Sequence, residues 1–286
     1  MEIPEKLSIL VVGGHPADVF DCAGGTLAHH IDRGDRVTAV VMTHGARSHH
    51  IGLIEDVREG RVEVESVTDQ VIAEGVEAKR DEMTEACALF GITDIRRLFY
   101  EDDIMMVTNE LVSQIDEIIR EVTPDIVITH HPQDSVQTHS ECSRAVLKAF
   151  ESAQGIRRGT ELKPHNVAQL FFMGIPVAGT SYTVLDALSP VFCPVYVDVT
   201  DVIDKKVAAL DKLKSQKYDG VYARKRTEAN EGHFGYSSRV AYAEPFIMYY
   251  PEVYRHLPIT SFTRQRAREG SEEQFARCCQ ILTTQL

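Results

Sequence analysis

An apolar strand that runs directly into a histidine and a carboxylate is the feature that most constrains this fold. Residues 7–12 are short, almost continuously apolar and rich in β-branched side chains, as is typical of a strand buried on both faces of a parallel sheet. Two glycines then turn the chain into His15-Pro16-Ala17-Asp18. Because open α/β sheets bind ligands at the carboxyl ends of their strands, His15 and Asp18 are candidate metal ligands. The simpler alternative is that Asp18 only caps the helix that follows.

A second apolar strand ends in a similar way. Residues 124–129 run into His130-His131-Pro132-Gln133-Asp134, and His139 follows. Catalytic zinc sites typically use three protein ligands of the histidine or carboxylate kind and leave one position open. His15, Asp18 and one histidine of this second group would meet that count. His130 and His131 abut the strand end and are expected to hydrogen-bond backbone or orient ligands.

Strands and helices alternate from residue 7 to about residue 150. This order predicts an α/β fold with a Rossmann-like, doubly wound, mostly parallel sheet and a C-terminal elaboration. The predicted strands cover residues 7–12, 36–43, 95–100, 124–129, 168–173, 194–199 and 246–250. The predicted helices cover residues 25–33, 76–90, 109–122, 139–152 and 202–216. Asp201 is the predicted N-cap of the last helix. We expect a single domain over residues 1–260, with an insert at 51–76 as a lid or oligomer contact, and a tail at 261–286. The glycines do not follow the dinucleotide-binding pattern, so a nucleotide cofactor is not favoured.

The amino-acid composition limits the kinds of molecule that the protein is expected to bind. A net charge of -13 over 286 residues argues against nucleic acids and anionic membrane surfaces, both of which select for Lys and Arg. The N-terminus does not read as a signal peptide, and no apolar run approaches the roughly twenty residues of a membrane span. The six cysteines show no Cys-x-x-Cys spacing and are typical of small buried residues in a reducing compartment. The sequence therefore predicts a cytoplasmic enzyme that forms a homo-oligomer and acts on a small polar or anionic molecule.

Several motifs together resemble the PIG-L, or LmbE-like, family of zinc-dependent de-N-acetylases. The family's Ala/Gly-His-Pro-Asp-Asp, Gly-Gly-Thr-Leu, Thr-x-Gly-Glu-Arg-Gly and His-Pro-x-Asp-x-His-x-Asp-His motifs correspond to residues 14–18, 24–27, 43–47 and 131–139. The resemblance implies a PIG-L-like fold, a zinc ion held by His15, Asp18 and His139, and Arg47 beside the substrate. We also take His44, in the same loop, as a candidate substrate-binding residue.

Departures from the family pattern affect its acid/base groups. Ala17 stands where the family has its general base, and Val136 and Thr138 stand where it has a histidine that stabilises the oxyanion and a neighbouring aspartate. Positioned acid/base groups typically contribute a factor of about a hundred to ten thousand in rate. Candidate replacements are the acids that follow strand 95–100, with Asp102 and Asp103 as the preferred catalytic residues, the histidines that follow strand 36–43 (His44, His49 and His50), and His233 in a glycine-rich segment.

Three functions remain open on this resemblance. The first expectation is a zinc-dependent, deacetylase-like hydrolase that uses metal-activated water to cleave an N-acyl or related C–N bond. The His-x-Ala-Asp form also resembles the 4-oxalomesaconate hydratase branch. The side chains of Arg47, Arg224, Lys225 and Arg226 could bind the carboxylates of its unsaturated oxo-polycarboxylate substrate. For Arg224, Lys225 and Arg226, a solvated helix face is the simpler explanation. A non-catalytic metal-binding protein would also keep the ligands and lose the base. Zn²⁺ is the expected cofactor, and Fe²⁺ also fits two histidines and one carboxylate.

Overall fold

The fold is described from a computed structural model, over residues 6–103, 105–174, 193 and 195–282. In this part of the chain the strands are β1 (Ser8–Gly13), β2 (Arg36–Thr43), β3 (Asp94–Tyr100), β4 (Ile126–His130), β5 (Gln169–Met173), β6 (Val195–Asp198) and β7 (Ala243–Met248). They form one sheet in the order β3-β2-β1-β4-β5-β7-β6. Strands β1 to β5 are parallel, and β7 is antiparallel to both β5 and β6. The predicted α/β class with a mostly parallel sheet is confirmed.

Helices cover both faces of the sheet. They are α1 (Asp18–Asp32), α2 (Ile51–Arg58), α3 (Asp69–Phe90), α4 (Asn109–Val122), α5 (Gln137–Ala153), α6 (Ile203–Leu210), α7 (Val221–Thr227), α8 (His233–Ser238), α9 (Ser261–Arg266) and α10 (Ser271–Cys278). Strand β1 contributes to two apolar cores: Ile9 and Val11 pack in the core that contains α1, α3 and α6, whereas Leu10 and Val12 pack in the core that contains α4 and α5. This alternation explains why β1 is apolar at nearly every position. None of the helices in the described ranges combines the length and apolar character that crossing a bilayer requires.

Some predicted boundaries are wrong for identifiable reasons. Helix α1 begins at Asp18 rather than at residue 25 and runs through both glycines. Gly25 serves close packing there, because a Cβ at this position would lie 2.5 Å from Cγ1 of Val199. Asp201 is not an N-cap: it lies in the 3-10 turn Thr200–Val202 and its carboxylate is 2.8 Å from Nε2 of His29. Segment 202–216 is accordingly divided between this turn, α6 and a second 3-10 turn, Lys214–Gln216.

The regions predicted as an insert and a tail both contain helices. Residues 51–76 include α2, a 3-10 turn at Val64–Ser66 and the first part of α3. The described part of the tail contains α9 and α10. The division into one domain, an insert and a tail remains a prediction.

A buried cluster of charges, which we call the Lys206 cluster, fixes α1 to the sheet. It contains Lys206 and Arg226 as cations and Asp21, Glu231 and Glu244 as anions. The Lys206 ammonium donates to Oε1 of Glu231 at 2.7 Å, to Oε1 of Glu244 at 2.8 Å and to the carbonyl of Asp21 at 2.8 Å. The Glu244 carboxylate in turn accepts from the amides of Gly25 and Thr26 in α1. The cluster therefore holds the helix whose first residue is Asp18.

The same cluster corrects the expectation for the basic residues of α7. The Arg226 guanidinium pairs with the Asp21 carboxylate, and only 14% of its side chain is exposed, so it does not belong to a solvated face. Arg224 pairs with Asp211 at 2.9 Å. Both arginines are thus occupied by carboxylates of this chain.

Glu231 should make the stability of the protein fall as the pH rises. Burial raises the pKa of Glu231 from 4.5 to about 7 in spite of the Lys206 ammonium beside it. Because the folded pKa exceeds the unfolded one, the stabilising contribution of Glu231 is complete below about pH 4.5 and is lost as the pH rises through about 7. We expect Glu231→Gln to be more stable than the wild type near pH 8, by up to about 3 kcal/mol, and equally stable near pH 4. Urea denaturation at the two pH values measures this, and a difference that does not depend on pH would contradict it.

Candidate functional site

The candidate site lies where the strand order reverses. From β1 the chain first builds outward to β2 and β3, and then returns to place β4 and β5 on the other side of β1. Crevices at such a switch point are the usual ligand sites of open α/β sheets. The carboxyl ends of β1 and β4 meet there, and the amide of Gly14 donates to Nε2 of His130 at 3.1 Å. A Cβ at Gly14 would lie 3.3 Å from Oδ2 of Asp18 and 3.3 Å from Cδ2 of His139, so glycine lets these side chains approach the backbone closely.

Three of the predicted ligands converge at this point. His15, Asp18 and His139 each offer one ligand atom, and these atoms lie within 4.8 Å of one another. Oδ2 of Asp18 is 3.4 Å from Nδ1 of His15 and 3.4 Å from Nε2 of His139. Asp18 is the first residue of α1, and its carboxylate also accepts from the His15 amide at 2.6 Å. The N-cap position itself belongs to Ala17, so the capping role does not account for Asp18.

His15 provides the test of whether a metal fits. Its side chain is 1% exposed, and within the described residues neither ring nitrogen has a hydrogen-bond partner. Buried polar atoms are nearly always satisfied, since desolvation without a partner is costly. A cation between His15, Asp18 and His139 would supply the missing interaction. Two imidazoles and one carboxylate suit Zn²⁺ and also suit Fe²⁺.

Two further side chains orient these candidate ligands. Oδ2 of Asp134 lies 3.1 Å from Nδ1 of His139, which places a carboxylate on the ring nitrogen opposite the cluster. Such carboxylate partners fix the tautomer and the orientation of metal-binding histidines. Nε2 of His130 lies 3.1 Å from Oδ2 of Asp18. His131 instead accepts from the amide of Gln133 and packs edge-on against Phe172.

The local charges polarise the cluster. Burial alone would raise the pKa of Asp18, but His139, His130 and His15 hold it well below its usual range. Burial lowers the pKa of His139, yet the carboxylates of Asp18 and Asp134 raise it to about 10. Without a metal, the cluster therefore keeps a carboxylate ionised and a positive charge beside it. A divalent cation at this position would likewise stabilise the ionised carboxylate.

Asp102 holds the loop that follows β2. Its carboxylate is 0% exposed and accepts from the amides of Arg47 at 3.2 Å and Ser48 at 2.7 Å, as well as from the Ser48 hydroxyl. It also lies 3.0 Å from Nδ1 of His44. Burial would raise the pKa of Asp102, but hydrogen bonds from His44 and Ser48 keep it well below its usual range. One of the two carboxylates that the sequence favours as bases is thus committed to loop contacts.

The other predicted site residues occupy different surroundings. His44 and Arg47 line a cavity of about 280 Å³, and Nε of Arg47 donates to Glu101 at 2.5 Å. Glu101 also lines this cavity, and the remaining lining residues come from α3 and include Asp69 and Glu77. Asp103 is exposed beside this loop. His233 is exposed at the start of α8 with its ring packed edge-on against Phe234, and it does not belong to the cluster of His15, Asp18 and His139.

His49, one of the three candidate histidines that follow strand 36–43, lies against the cluster. Its ring centroid is 3.9 Å from that of His15, with the rings tilted by 46°. Burial, together with the neighbouring His15, lowers the pKa of His49 to about 3. Nδ1 of His49 is 2.6 Å from Oγ of Ser48. The signal in the sequence is its place after β2, because β2 neighbours β1 and the carboxyl ends of parallel neighbours share one edge.

The chain is similar to known deacetylases and to a hydratase. Over 144 residues the chain is 30% identical to a probable N-acetyl-alpha-D-glucosaminyl L-malate deacetylase 2 of Bacillus cereus. This alignment covers 49% of this chain and 60% of the Bacillus protein, which is less than two thirds of that protein's length. It is 24% identical to the 4-oxalmesaconate hydratase of Pseudomonas putida over 270 residues, covering 90% of this chain and 94% of that enzyme. The fold is similar to that of an N,N'-diacetylchitobiose deacetylase from Pyrococcus horikoshii, with a TM-score of 0.65, 22% identity and coverage of 90% of this chain and 88% of that chain.

The family model described as PIG-L, GlcNAc-PI de-N-acetylase, matches residues 10–150. These residues include most of β1, all of β4 and every member of the candidate metal cluster. The relatives comprise deacetylases and a hydratase, which are the two enzyme classes expected from the sequence. The resemblance drawn from the motifs is confirmed over residues 10–150, which match the PIG-L family model.

Proposed function

We propose that this chain is a zinc-dependent enzyme that uses water to hydrolyse an N-acyl bond of a small polar metabolite. The observation that carries the proposal is the buried His15 beside Asp18 and His139. Its ring nitrogens have no hydrogen-bond partner among the described residues, and it lies in the segment that matches the PIG-L family. Zinc bound by these residues would polarise a carbonyl and bring the pKa of a coordinated water to about 7. The chain's own part is to hold the ligands in place, through Asp134 on His139 and His130 on Asp18.

The charges beside the loop favour an N-acyl substrate over a polycarboxylate. The cavity that His44 lines is also lined by Asp69, Glu77 and Glu101, and Arg47 is the only arginine or lysine in its lining among the described residues. Because Arg47 already pairs with Glu101, it brings no excess positive charge to an anion. A neutral, hydroxyl-rich or amine-containing group fits this lining better than several carboxylates do.

A hydratase is the second candidate. It is supported by the relative that aligns over nearly the full length of both chains, the 4-oxalmesaconate hydratase. It is also supported by Ala17, which leaves the turn between His15 and Asp18 without a second acid. Adding water to an activated C=C bond needs no protonation of an amine leaving group, so the loss of that acid is less costly.

We further propose a cytoplasmic homo-oligomer that acts on small molecules. The free thiols, of which Cys87, Cys142 and Cys193 are buried, suit a reducing compartment. The segment that follows β7 exposes apolar side chains, with Val253 90% and Leu257 95% exposed, and such surface favours contact with a second copy.

The two reactions can be separated with one preparation of zinc-loaded protein. We expect primary amine release from N-acetylglucosaminides, measured with an amine-reactive fluorophore, and no release from protein stripped of metal by a chelator. Loss of the ultraviolet absorbance of an unsaturated oxo-polycarboxylate, without amine release, would assign the hydratase reaction instead. Stoichiometric zinc with neither reaction would favour a metal-binding protein without catalysis.

A further inference from the structure

The two candidate substrate-binding residues of the loop after β2 converge on one carboxylate. Nε of Arg47 donates to Oε2 of Glu101 at 2.5 Å, and Nε2 of His44 lies 3.3 Å from the same oxygen. An arginine and a histidine that approach one carboxylate oxygen form the kind of site that binds the carboxylate of a ligand. In this protein a side chain of the chain itself fills that position.

The loop that carries these residues packs beside the candidate metal cluster. The Thr43 hydroxyl donates to the Gly14 carbonyl at 2.7 Å, and a Cβ at Gly45 would lie 3.4 Å from Cδ of Pro16, in the turn that carries two of the candidate ligands. Glu101 directly follows β3, which pairs with β2. A metabolite whose acyl group lies at the metal would therefore extend over this loop, towards the cavity of about 280 Å³ that Glu101 lines.

His44 keeps a hydrogen-bond donor for a ligand. Its side chain is 5% exposed, and Nε2 has no hydrogen-bond partner among the described residues. The hydrogen bond to Asp102 and the nearby Glu101 carboxylate raise the pKa of His44, although burial opposes this. A protonated imidazole donates from both nitrogens, so Nδ1 serves Asp102 and Nε2 faces Glu101. The charge of Glu101 therefore offsets two cationic side chains, His44 and Arg47.

The other carboxylates of the cavity add to this negative charge. Asp69 and Glu77 line it together with Glu101, whereas Arg47 is the only arginine or lysine in the described part of its lining. A ligand carboxylate would have to displace Glu101 from Arg47 and then lie beside it, and like charges in contact oppose this. A ligand hydroxyl meets no such opposition, because it can donate to a carboxylate and accept from a cation.

We propose that Glu101 is a specificity-determining residue that excludes carboxylate-bearing metabolites from the cavity beside Arg47; this role rests on the proposed function. The substrate is then an N-acyl metabolite whose remaining part is uncharged and rich in hydroxyl groups, as in a glycoside. Glu101→Gln should convert the position into a carboxylate site, because Arg47 and His44 lose their internal anion. Glu77→Gln is the matched comparison, since it removes a charge from the same cavity and Glu77 pairs with Arg80 at 3.4 Å instead.

The exclusion can be tested without any substrate, with acetate as the probe. In zinc-loaded protein labelled with ¹⁵N-arginine, ¹H-¹⁵N spectra report the Nε-H group of Arg47, whose signal is assigned by its absence in Arg47→Lys. At constant ionic strength we expect acetate to shift this signal saturably in Glu101→Gln, with an affinity at least about tenfold higher than in the wild type or in Glu77→Gln. Equal affinities in the wild type and Glu101→Gln, or an equal gain in Glu77→Gln, would overturn the role of Glu101 whatever the reaction is.

Two glycosides that differ by one carboxylate test the specificity itself. Amine release is measured from the methyl and the carboxymethyl N-acetylglucosaminide. We expect the wild type to favour the methyl glycoside, and Glu101→Gln to raise the kcat/KM of the carboxymethyl glycoside relative to the methyl glycoside by about tenfold. Glu161→Gln, at an exposed position outside the described site, should keep the wild-type ratio.

The outcomes of the kinetic test separate this role from the proposed function. An unchanged ratio in Glu101→Gln, with an active wild type, would overturn the role of Glu101 and leave the proposed function intact. A wild type that favours the carboxymethyl glycoside would also overturn the role. A wild type inactive on both glycosides would overturn the proposed function and the specificity role with it.

Discussion

Replacing Asp18 with asparagine should abolish metal binding and turnover together. Asp18 is the anionic member of the candidate cluster, 7% exposed and surrounded by His15, His130 and His139. The amide has the same shape but no charge to offset a divalent cation. Because a catalytic metal contributes several kcal/mol of transition-state stabilisation, we expect kcat/KM to fall by at least about a thousandfold. Zinc content after dialysis, measured by mass spectrometry, should fall to a minor fraction of the wild-type value.

The matched control for this experiment is Asp219→Asn, which removes a carboxylate at an exposed position. It should keep both zinc and activity. Circular dichroism will verify that Asp18→Asn remains folded, since its effect is expected at the metal and not in the core. A folded Asp18→Asn protein that still binds zinc stoichiometrically would contradict the assignment of Asp18 as a ligand.

Replacing Lys206 with methionine should produce the largest loss of stability. Lys206 is fully buried, and its ammonium contacts both Glu231 and Glu244. Methionine fills the space but leaves two buried carboxylates without their common cation, and removing one partner of a buried pair typically costs about 3–5 kcal/mol. Urea denaturation near pH 8 measures the change in the free energy of unfolding.

Two comparisons separate this electrostatic effect from a general effect of losing a lysine. Lys225→Met, at an exposed position of α7, should change stability by less than about 0.5 kcal/mol. The loss in Lys206→Met should also be smaller near pH 5, because the carboxylates can then take up protons. A loss of less than about 1 kcal/mol near pH 8 would contradict the structural importance given to the Lys206 cluster.

The sequence determined the central sheet and the position of the candidate metal cluster. Apolar runs before His15 and before His130 identify β1 and β4 because a strand buried on both faces must be apolar at successive positions. Since parallel neighbours end at the same edge, the residues just beyond them had to meet. His139 followed from the family motif and not from a pattern of periodicity, yet it lies in the first turn of α5, directly above that edge.

Only the tertiary structure decided what the remaining polar residues do. Asp102 binds the Ser48 hydroxyl and two loop amides, Arg47 pairs with Glu101, and Arg226 pairs with Asp21. In the sequence, Asp102 was consistent with a base in the cleft or with an exposed surface charge. Arg226 was consistent with an anion-binding residue or with a solvated helix face. A local pattern reports burial and periodicity, whereas the partner of a charged group depends on how distant elements pack. The pairs that define this site and its support are separated by 54 residues for Ser48 and Asp102, and by 205 residues for Asp21 and Arg226.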